Sequence, residues 1–254
     1  MTRYTYGDSE VAAERLRLVA EMFEPSTSAF LRAAAPPTPD LAVDLGCGPG
    51  RTTRLLHAIT GAAATVGLER SGPFLAAARA GAPPGVRFLE HDATSVPFPV
   101  PPADLVYARL LLAHLVDPPA VVVDWSTTLT IGGRLLLDDL EAIEAPEPAF
   151  RTYLDDVALP VVVRAGGRMF VGSALHAMPD PPGTARMHDA VASFTPPADA
   201  TARVFGLNLQ VLTADGEVAP RPDLEAALGA IADGEREAAP ATWRVRQVAL
   251  ERRA

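Results

Sequence analysis

Three carboxylates and one glycine turn hold most of the chemistry this sequence can perform. Asp44 stands two residues before the turn Gly46-Cys47-Gly48-Pro49-Gly50. Glycine has no Cβ, so such a turn can adopt positive φ and let a ligand lie against bare backbone. The Gly-x-Gly-x-Gly spacing differs from the Gly-x-Gly-x-x-Gly that cradles a diphosphate, and an acid at the strand end suits a ligand with an amino group and no phosphate. Glu69 ends the next predicted strand and Asp92 follows the one after it. A carboxylate in the first of these places can accept both hydroxyls of a ribose, and one in the second can accept from an exocyclic amine such as adenine N6. A nucleoside with a cationic, amino-bearing tail satisfies all three acids. Singly, each acid also reads as a solvated loop residue and the turn as a purely structural one. Their occurrence together and in this order favours a site.

The elements that must position these groups are legible as a rhythm. Residues 41–45 form an apolar run of the kind buried on both faces of a parallel sheet. The glycine turn follows, and then a helix from Arg51, whose unpaired N–H groups face the turn. Further strands are predicted at 65–69, 86–90, 104–108 and 134–138, with helices between, which implies a doubly wound parallel sheet. Before the first strand, Asp8 or Ser9 caps a helix predicted to reach about Phe23 and to break at Pro25, with a short helix after it. Beyond Glu141 the rhythm stops. Residues 142–183 read as helical pieces broken by Pro146, Pro148, Pro160, Gly166-Gly167 and Pro179. A sixth strand is expected at 187–194, helices at 198–212 and 222–237, and a last strand at 245–251.

Composition narrows the function classes. The chain has 254 residues, 48% of them apolar, enough for one sizeable α/β domain. No apolar run approaches the roughly 18 residues of a membrane span. Arg and Lys number 22 against 31 acids, a net charge of −9, which argues against nucleic-acid binding through phosphates. No lysine occurs, so Schiff-base chemistry is excluded. The single cysteine, Cys47, excludes an internal disulfide and a Cys-based metal cluster and fits a reduced cytoplasm.

Residues 43–50, Gly67-Leu68-Glu69, His91-Asp92-Ala93 and 104–115 together resemble the successive motifs of class I S-adenosylmethionine-dependent methyltransferases. The resemblance covers about residues 8–141. It implies an α/β Rossmann-like fold, a doubly wound, mostly parallel sheet of seven strands whose last strand enters antiparallel, with N-terminal helices and a helical cap. The implied organisation is N-terminal cap helices over 1–35, a cofactor-binding core over 36–141, a lid and substrate region over 142–240, and a closing strand over 241–254. The implied cofactor is S-adenosylmethionine, with S-adenosylhomocysteine as product. Its binding set would be Asp44, Gly46, Cys47, Gly48, Glu69, Arg70, Asp92, Ala93 and Arg109, with residues 107–109 near the sulfonium. The cap looks like that of the small-molecule branch, the quinone and natural-product methyltransferases. A cytoplasmic monomer or homodimer, acting on O, N or C of a small molecule of secondary metabolism, is then expected, with neither membrane nor nucleic acid as partner. The alternatives are a nicotinamide oxidoreductase, for which the third glycine comes one residue early, and a protein that binds the cofactor without methylating.

Methyl transfer needs alignment and exclusion of water more than covalent chemistry. An oxygen or carbon acceptor that must lose a proton needs a base, and His114, in the apolar segment after the fourth strand, is the candidate. A packing role is its bland alternative. Asp138, Asp139 and Glu141 are expected on the same rim, where they could bind a cationic substrate, though their spacing does not indicate a metal. Arg109 could hold a carboxylate of substrate or cofactor. His176, Tyr6 and Asn208 are secondary candidates, and His57 and His91 read as surface or packing residues.

Overall fold

The apolar runs of the sequence assemble into one seven-stranded sheet in the order β3-β2-β1-β4-β5-β7-β6. The structure is a computed structural model describing residues 7–254, so Tyr6 lies outside the described residues. The strands are β1 Leu41–Leu45, β2 Ala64–Glu69, β3 Val86–Glu90, β4 Ala103–Arg109, β5 Leu129–Glu144, β6 Thr184–Phe194 and β7 Thr242–Arg252. β1 to β5 pair in parallel, and β7 is antiparallel to both β5 and β6. The chain builds outward from β1 through β2 to β3, then returns to the other side of β1 with β4. That reversal opens a crevice at the carboxyl ends of β1 and β4, where open α/β sheets bind ligands.

Period-two alternation sorts the strand residues between two layers. Ala42, Leu105, Tyr107, Leu136 and Ala249 face one way, against Phe30, Leu31 and Leu56. Their neighbours Val43, Val106, Leu135, Leu137 and Val248 face Val122, Trp125 and Leu175 on the other side. The helices are α1 Glu10–Ala34, α2 Arg51–Thr60, α3 Gly72–Arg79, α4 Pro118–Ser126, α5 Pro148–Tyr153, α6 Leu159–Arg164, α7 Gly172–Ala177, α8 Ala198–Ala214 and α9 Pro222–Ala232. A third core joins Val19 and Phe23 of α1 to α5, α6, α8, α9 and Trp243, forming a cap over the sheet's carboxyl edge.

Three expectations need correction. Pro25 does not end the first helix: α1 runs unbroken for 25 residues, with Ser9 accepting from the Ala12 N–H as its cap. Phe23 before the proline is buried in the cap core, and Phe30 and Leu31 after it are buried under the sheet. Burial on both sides outweighs the roughly 3 kcal/mol a mid-helix proline costs. Pro160 is likewise absorbed, by a wide turn over Leu154–Ala158 that links α5 to α6. β5 outruns its apolar segment because β7 pairs with it as far as Glu144.

The cap is pinned to the sheet where its chain turns at residues 166–168. The Arg168 N–H donates to the Ala113 carbonyl at 2.9 Å, and a Cβ on Gly167 would run into that same carbonyl oxygen. Gly167→Ala must therefore push the cap off the turn after β4. Urea denaturation should show a loss of about 1–3 kcal/mol, the usual cost of overpacking; unchanged stability would mean the two segments are not locked together.

Candidate active site

The crevice holds a cavity of about 990 Å³ whose wall begins at the glycine turn. Gly46 and Gly48 have φ of +63° and +53°, the left-handed region that side-chain residues avoid. The turn is anchored by the Cys47 N–H on the Leu68 carbonyl, 3.1 Å away. The Cys47 side chain packs with Leu75 and Phe88, and burial pushes its thiol well above the usual range. Cys47 is thus a packing group whose backbone, with a thiol hydrogen bond to the Gly48 carbonyl at 3.7 Å, holds the turn.

All three acids of the sequence pattern line this cavity. Asp44 is 2% exposed. Burial pushes its carboxyl up to about 7, against the pull of the Thr53 hydroxyl, which donates at 2.7 Å, and of Arg109. Glu69 accepts from the Gly48 N–H at 3.0 Å and from the N–H groups of Arg70 and Ser71 at 2.8 Å each. Its side chain thereby ties the glycine turn to the end of β2. Asp92 feels burial, yet its carboxyl is held below the usual range by the Thr94 N–H and hydroxyl, with Arg70 nearby. Those bonds take one carboxylate oxygen and leave the other to the cavity side. Arg70 stands exposed at the rim, and the Ala93 carbonyl is occupied by the Trp125 indole N–H at 2.6 Å.

The far end of β4 divides the sequence candidates. Tyr107 is buried beneath the sheet and donates to Asp138, so of residues 107–109 only Arg109 reaches the cavity. Arg109 donates to Thr52 at 2.9 Å and Thr27 at 3.3 Å, and stacks over Phe23. Leu110 follows with φ of +53°, a strained conformation for leucine of the sort that gathers at functional sites.

Asp138, Asp139 and Glu141 do not form an acidic rim. Asp138 is fully buried and accepts from Thr27, Tyr107 and Gln247. Asp139, also fully buried, accepts from the Leu112 N–H at 3.1 Å. Glu141 pairs with Arg246. The two aspartates end inside the protein, and Glu141 half-buried in its ion pair, because β5 continues past them as a strand. Among the described residues no cluster of His, Cys, Asp and Glu could hold a metal.

His114 sits in the short helical turn Leu112–His114 that Asp139 supports, and it lines the cavity. Burial, reinforced by the positive charges of Arg15 and Arg70, lowers its pKa to about 4. His91 also reaches the cavity wall, its ring bonded to the Ser95 carbonyl. His57 bonds Thr65 under α2, and His176 pairs with Asp189 away from the crevice.

Two groups escaped the sequence reading. Arg15 of α1, 5% exposed, lines the cavity and donates to the Asn208 side chain of α8, so Asn208 supports an arginine. Arg15 falls in the buried stripe of α1 with Ala12, Val19 and Phe23; a charge at that spacing was the available signal. The second group is an apolar part of the cavity lining, Val19, Leu140, Val162, Met169 and Trp243.

Asp139 offers a direct check on this interior. Burial raises its carboxyl from 3.8 to about 7, partly offset by the Leu112 bond. The folded protein therefore holds that proton longer than the unfolded chain does. The resulting stability is complete below the unfolded value and is lost as pH rises through 7. Asp139→Asn keeps the acceptor for Leu112 without titrating. Between pH 5 and 8 the variant should lose less stability than wild type, by up to about 2.5 kcal/mol, since about two units of the shift fall in that window at 1.36 kcal/mol per pKa unit. Parallel profiles in urea would contradict the assignment.

Comparison with known proteins agrees with this geometry. Residues 43–137 match the family model described as a methyltransferase domain. Trans-aconitate 2-methyltransferase of Methylobacterium nodulans is 36% identical over 53% of this chain and 51% of its own length. The enzyme of that name from Methylobacterium radiotolerans is 29% identical over 73% of this chain and 81% of its own. This chain thus spans about half the length of the first relative and more of the second. A crystal structure of a candidate methyltransferase from Bacillus halodurans covers 91% of this chain and 100% of its own, with a TM-score of 0.60 at 16% identity, a likeness of fold alone. The matched segment contains the glycine turn and all three carboxylates, and it sets the methyltransferase reading above the nicotinamide one. Residues 43–137 are thus similar to the methyltransferase domain, and the chain is similar to these methyltransferases over that stretch and, in fold, beyond it.

Proposed function

We propose that the protein transfers the methyl group of S-adenosylmethionine to a small-molecule acceptor, and that the accepting atom is a carboxylate oxygen. The observation behind the first part is that one cavity is lined by the bare turn at Gly46 and Gly48 and by Asp44, Glu69 and Asp92 together. These residues fit the cofactor. Asp44 offers negative charge to its ammonium group, Glu69 acceptors to the ribose, and Asp92 with Ala93 the edge that meets the adenine. Arg109, whose charge acts on Asp44, lines the same cavity. Bound there, the cofactor supplies an electrophilic methyl group.

The second part rests on the groups across the cavity. A base whose conjugate acid has a pKa near 4 takes a proton poorly from an alcohol. His114 is neutral at pH 7 and flanked by the charges of Arg15 and Arg70. That surrounding suits an acceptor that is already an anion and has no proton to lose. The relatives named for trans-aconitate, a carboxylic acid, point the same way. Arg15 and Arg70 then orient the carboxylate, His114 hydrogen-bonds it, and the cap excludes water, so that proximity supplies the rate. The proposal includes action in the cytoplasm as a monomer or homodimer, within secondary metabolism. For the compartment its support is a free, buried thiol; the oligomeric state and metabolic setting rest on the resemblance to the small-molecule branch alone.

Asp44 makes cofactor binding depend on pH. A cationic ligand prefers the ionised carboxylate, and Asp44 ionises near 7. S-adenosylhomocysteine, measured by calorimetry, should bind roughly tenfold more tightly at pH 8 than at pH 6. Asp44→Asn should flatten that profile, and an unaltered profile would remove Asp44 from the site. Incubation with S-adenosylmethionine and a panel of small carboxylic acids should release S-adenosylhomocysteine and a methyl ester, both detected by mass spectrometry. Tight binding with no release on any acceptor would instead make this a non-methylating binder.

A further inference from the structure

Arg109 lines the cavity and is partly exposed, yet the groups that hold its guanidinium are all neutral. It donates to the hydroxyls of Thr52 at 2.9 Å and Thr27 at 3.3 Å, and it lies over the Phe23 ring at 5.7 Å. Asp44 and Asp138 feel its charge through space. A grip of this kind fixes the plane of the guanidinium and leaves its charge to a ligand. Thr27 of α1 is wholly buried and meets no ligand itself. Its hydroxyl has one proton to place between two neighbours. Arg109 can only donate, so Thr27 accepts from it and gives its proton to Asp138 Oδ2 at 3.0 Å. Tyr107 and Gln247 donate to the same carboxylate, which thus stands as the common acceptor. The bonds run one way, from Arg109 through Thr27 to Asp138. Thr52 and Thr53, adjacent in the first turn of α2, tie this arrangement to the glycine turn. Thr52 accepts from Arg109, and Thr53 donates to Asp44 at 2.7 Å. Two neighbouring hydroxyls therefore bracket a cation and a carboxylate whose charges act on each other. A ligand that matches the pair has an ammonium and a carboxylate on one carbon.

Resting on the methyltransferase reading above, we propose that Thr27 is a positioning residue for the cofactor. By giving its proton to Asp138 it keeps a lone pair for Arg109. Arg109, so held, receives the carboxylate of the cofactor's methionyl tail, while Asp44 receives the ammonium. A buried hydroxyl on the first helix thereby sets cofactor affinity from outside the glycine turn and the acids that follow it.

The test is calorimetry at pH 8, where Asp44 is ionised. The probes are S-adenosylhomocysteine and its analogue in which hydrogen replaces the carboxylate. Wild type should prefer the intact ligand about tenfold, the size of one hydrogen bond to a charged group. Thr27→Val keeps the shape and removes the hydroxyl. That preference should then fall by roughly threefold or more, while the analogue binds as before. Thr27→Ser keeps the hydroxyl and should keep the preference, whereas Thr27→Cys, a weak acceptor of similar size, should lower it. In Arg109→Met the preference should be gone, and adding Thr27→Val should change nothing more. The proposal is overturned if wild type shows no preference, if the valine and cysteine variants keep it in full, or if serine loses as much as valine. It is equally overturned if Arg109→Met still prefers the carboxylate. Loss of both ligands together in the valine and cysteine variants would make Thr27 purely structural and overturn it too. Failure of wild type to bind either ligand would instead overturn the methyltransferase reading.

Discussion

The active-site architecture depends on one buried carboxylate. Asp138 of β5 accepts from Thr27 of α1 at 3.0 Å, Tyr107 of β4 at 3.1 Å and Gln247 of β7 at 3.3 Å. Four separate stretches of chain meet on one side chain with no exposure to water. Burial pushes its carboxyl above the usual range, and the donors, with Arg109 nearby, pull it back. An acid so placed is tolerable only while its donors stay put, so the geometry of α1, β4 and β7 is fixed relative to β5. Arg15 on α1, Arg109 at the end of β4 and Trp243 on β7 inherit their positions from that constraint.

The next residue acts on the opposite face. Successive side chains of a strand point to opposite sides, and Asp139 therefore leaves Asp138's layer and holds the Leu112 N–H above it. One pair of adjacent acids thus clamps the helix beneath the sheet and the turn that presents His114 above it. The cap closes on that same turn through Ala113. The acceptor side of the cavity is consequently defined by contacts between segments far apart in sequence, whereas the cofactor side is defined within residues 44–93.

That difference explains what the sequence made legible. The glycine turn, Glu69 and Asp92 are local features: each follows an apolar run whose end can be recognised, and all three acids lie where that pattern puts them. Asp138 and Asp139 were misplaced because their apolar run also looked finished, while the strand goes on by pairing with β7, a partner more than a hundred residues away. Pro25 and Pro160 read as breaks, since local propensity cannot register burial on both sides of a residue. Arg15 needed Asn208 of another helix to become visible as a functional group. The left-handed Leu110 has no signature in one dimension at all.

The electrostatics of the acceptor side discriminate between the chemistries this fold can host. A histidine tuned to activate an alcohol sits near neutrality, commonly beside a carboxylate that raises its proton affinity. His114 has the opposite neighbours: burial and two guanidinium groups disfavour its protonated form. An incoming anion would relieve the same field that keeps the imidazole neutral, so carboxylate binding and a hydrogen bond from His114 reinforce each other. A neutral alcohol gains less from the charges of Arg15 and Arg70 than an anion does. The same residues that make His114 a poor base would therefore suit the proposed carboxylate acceptor, which needs none.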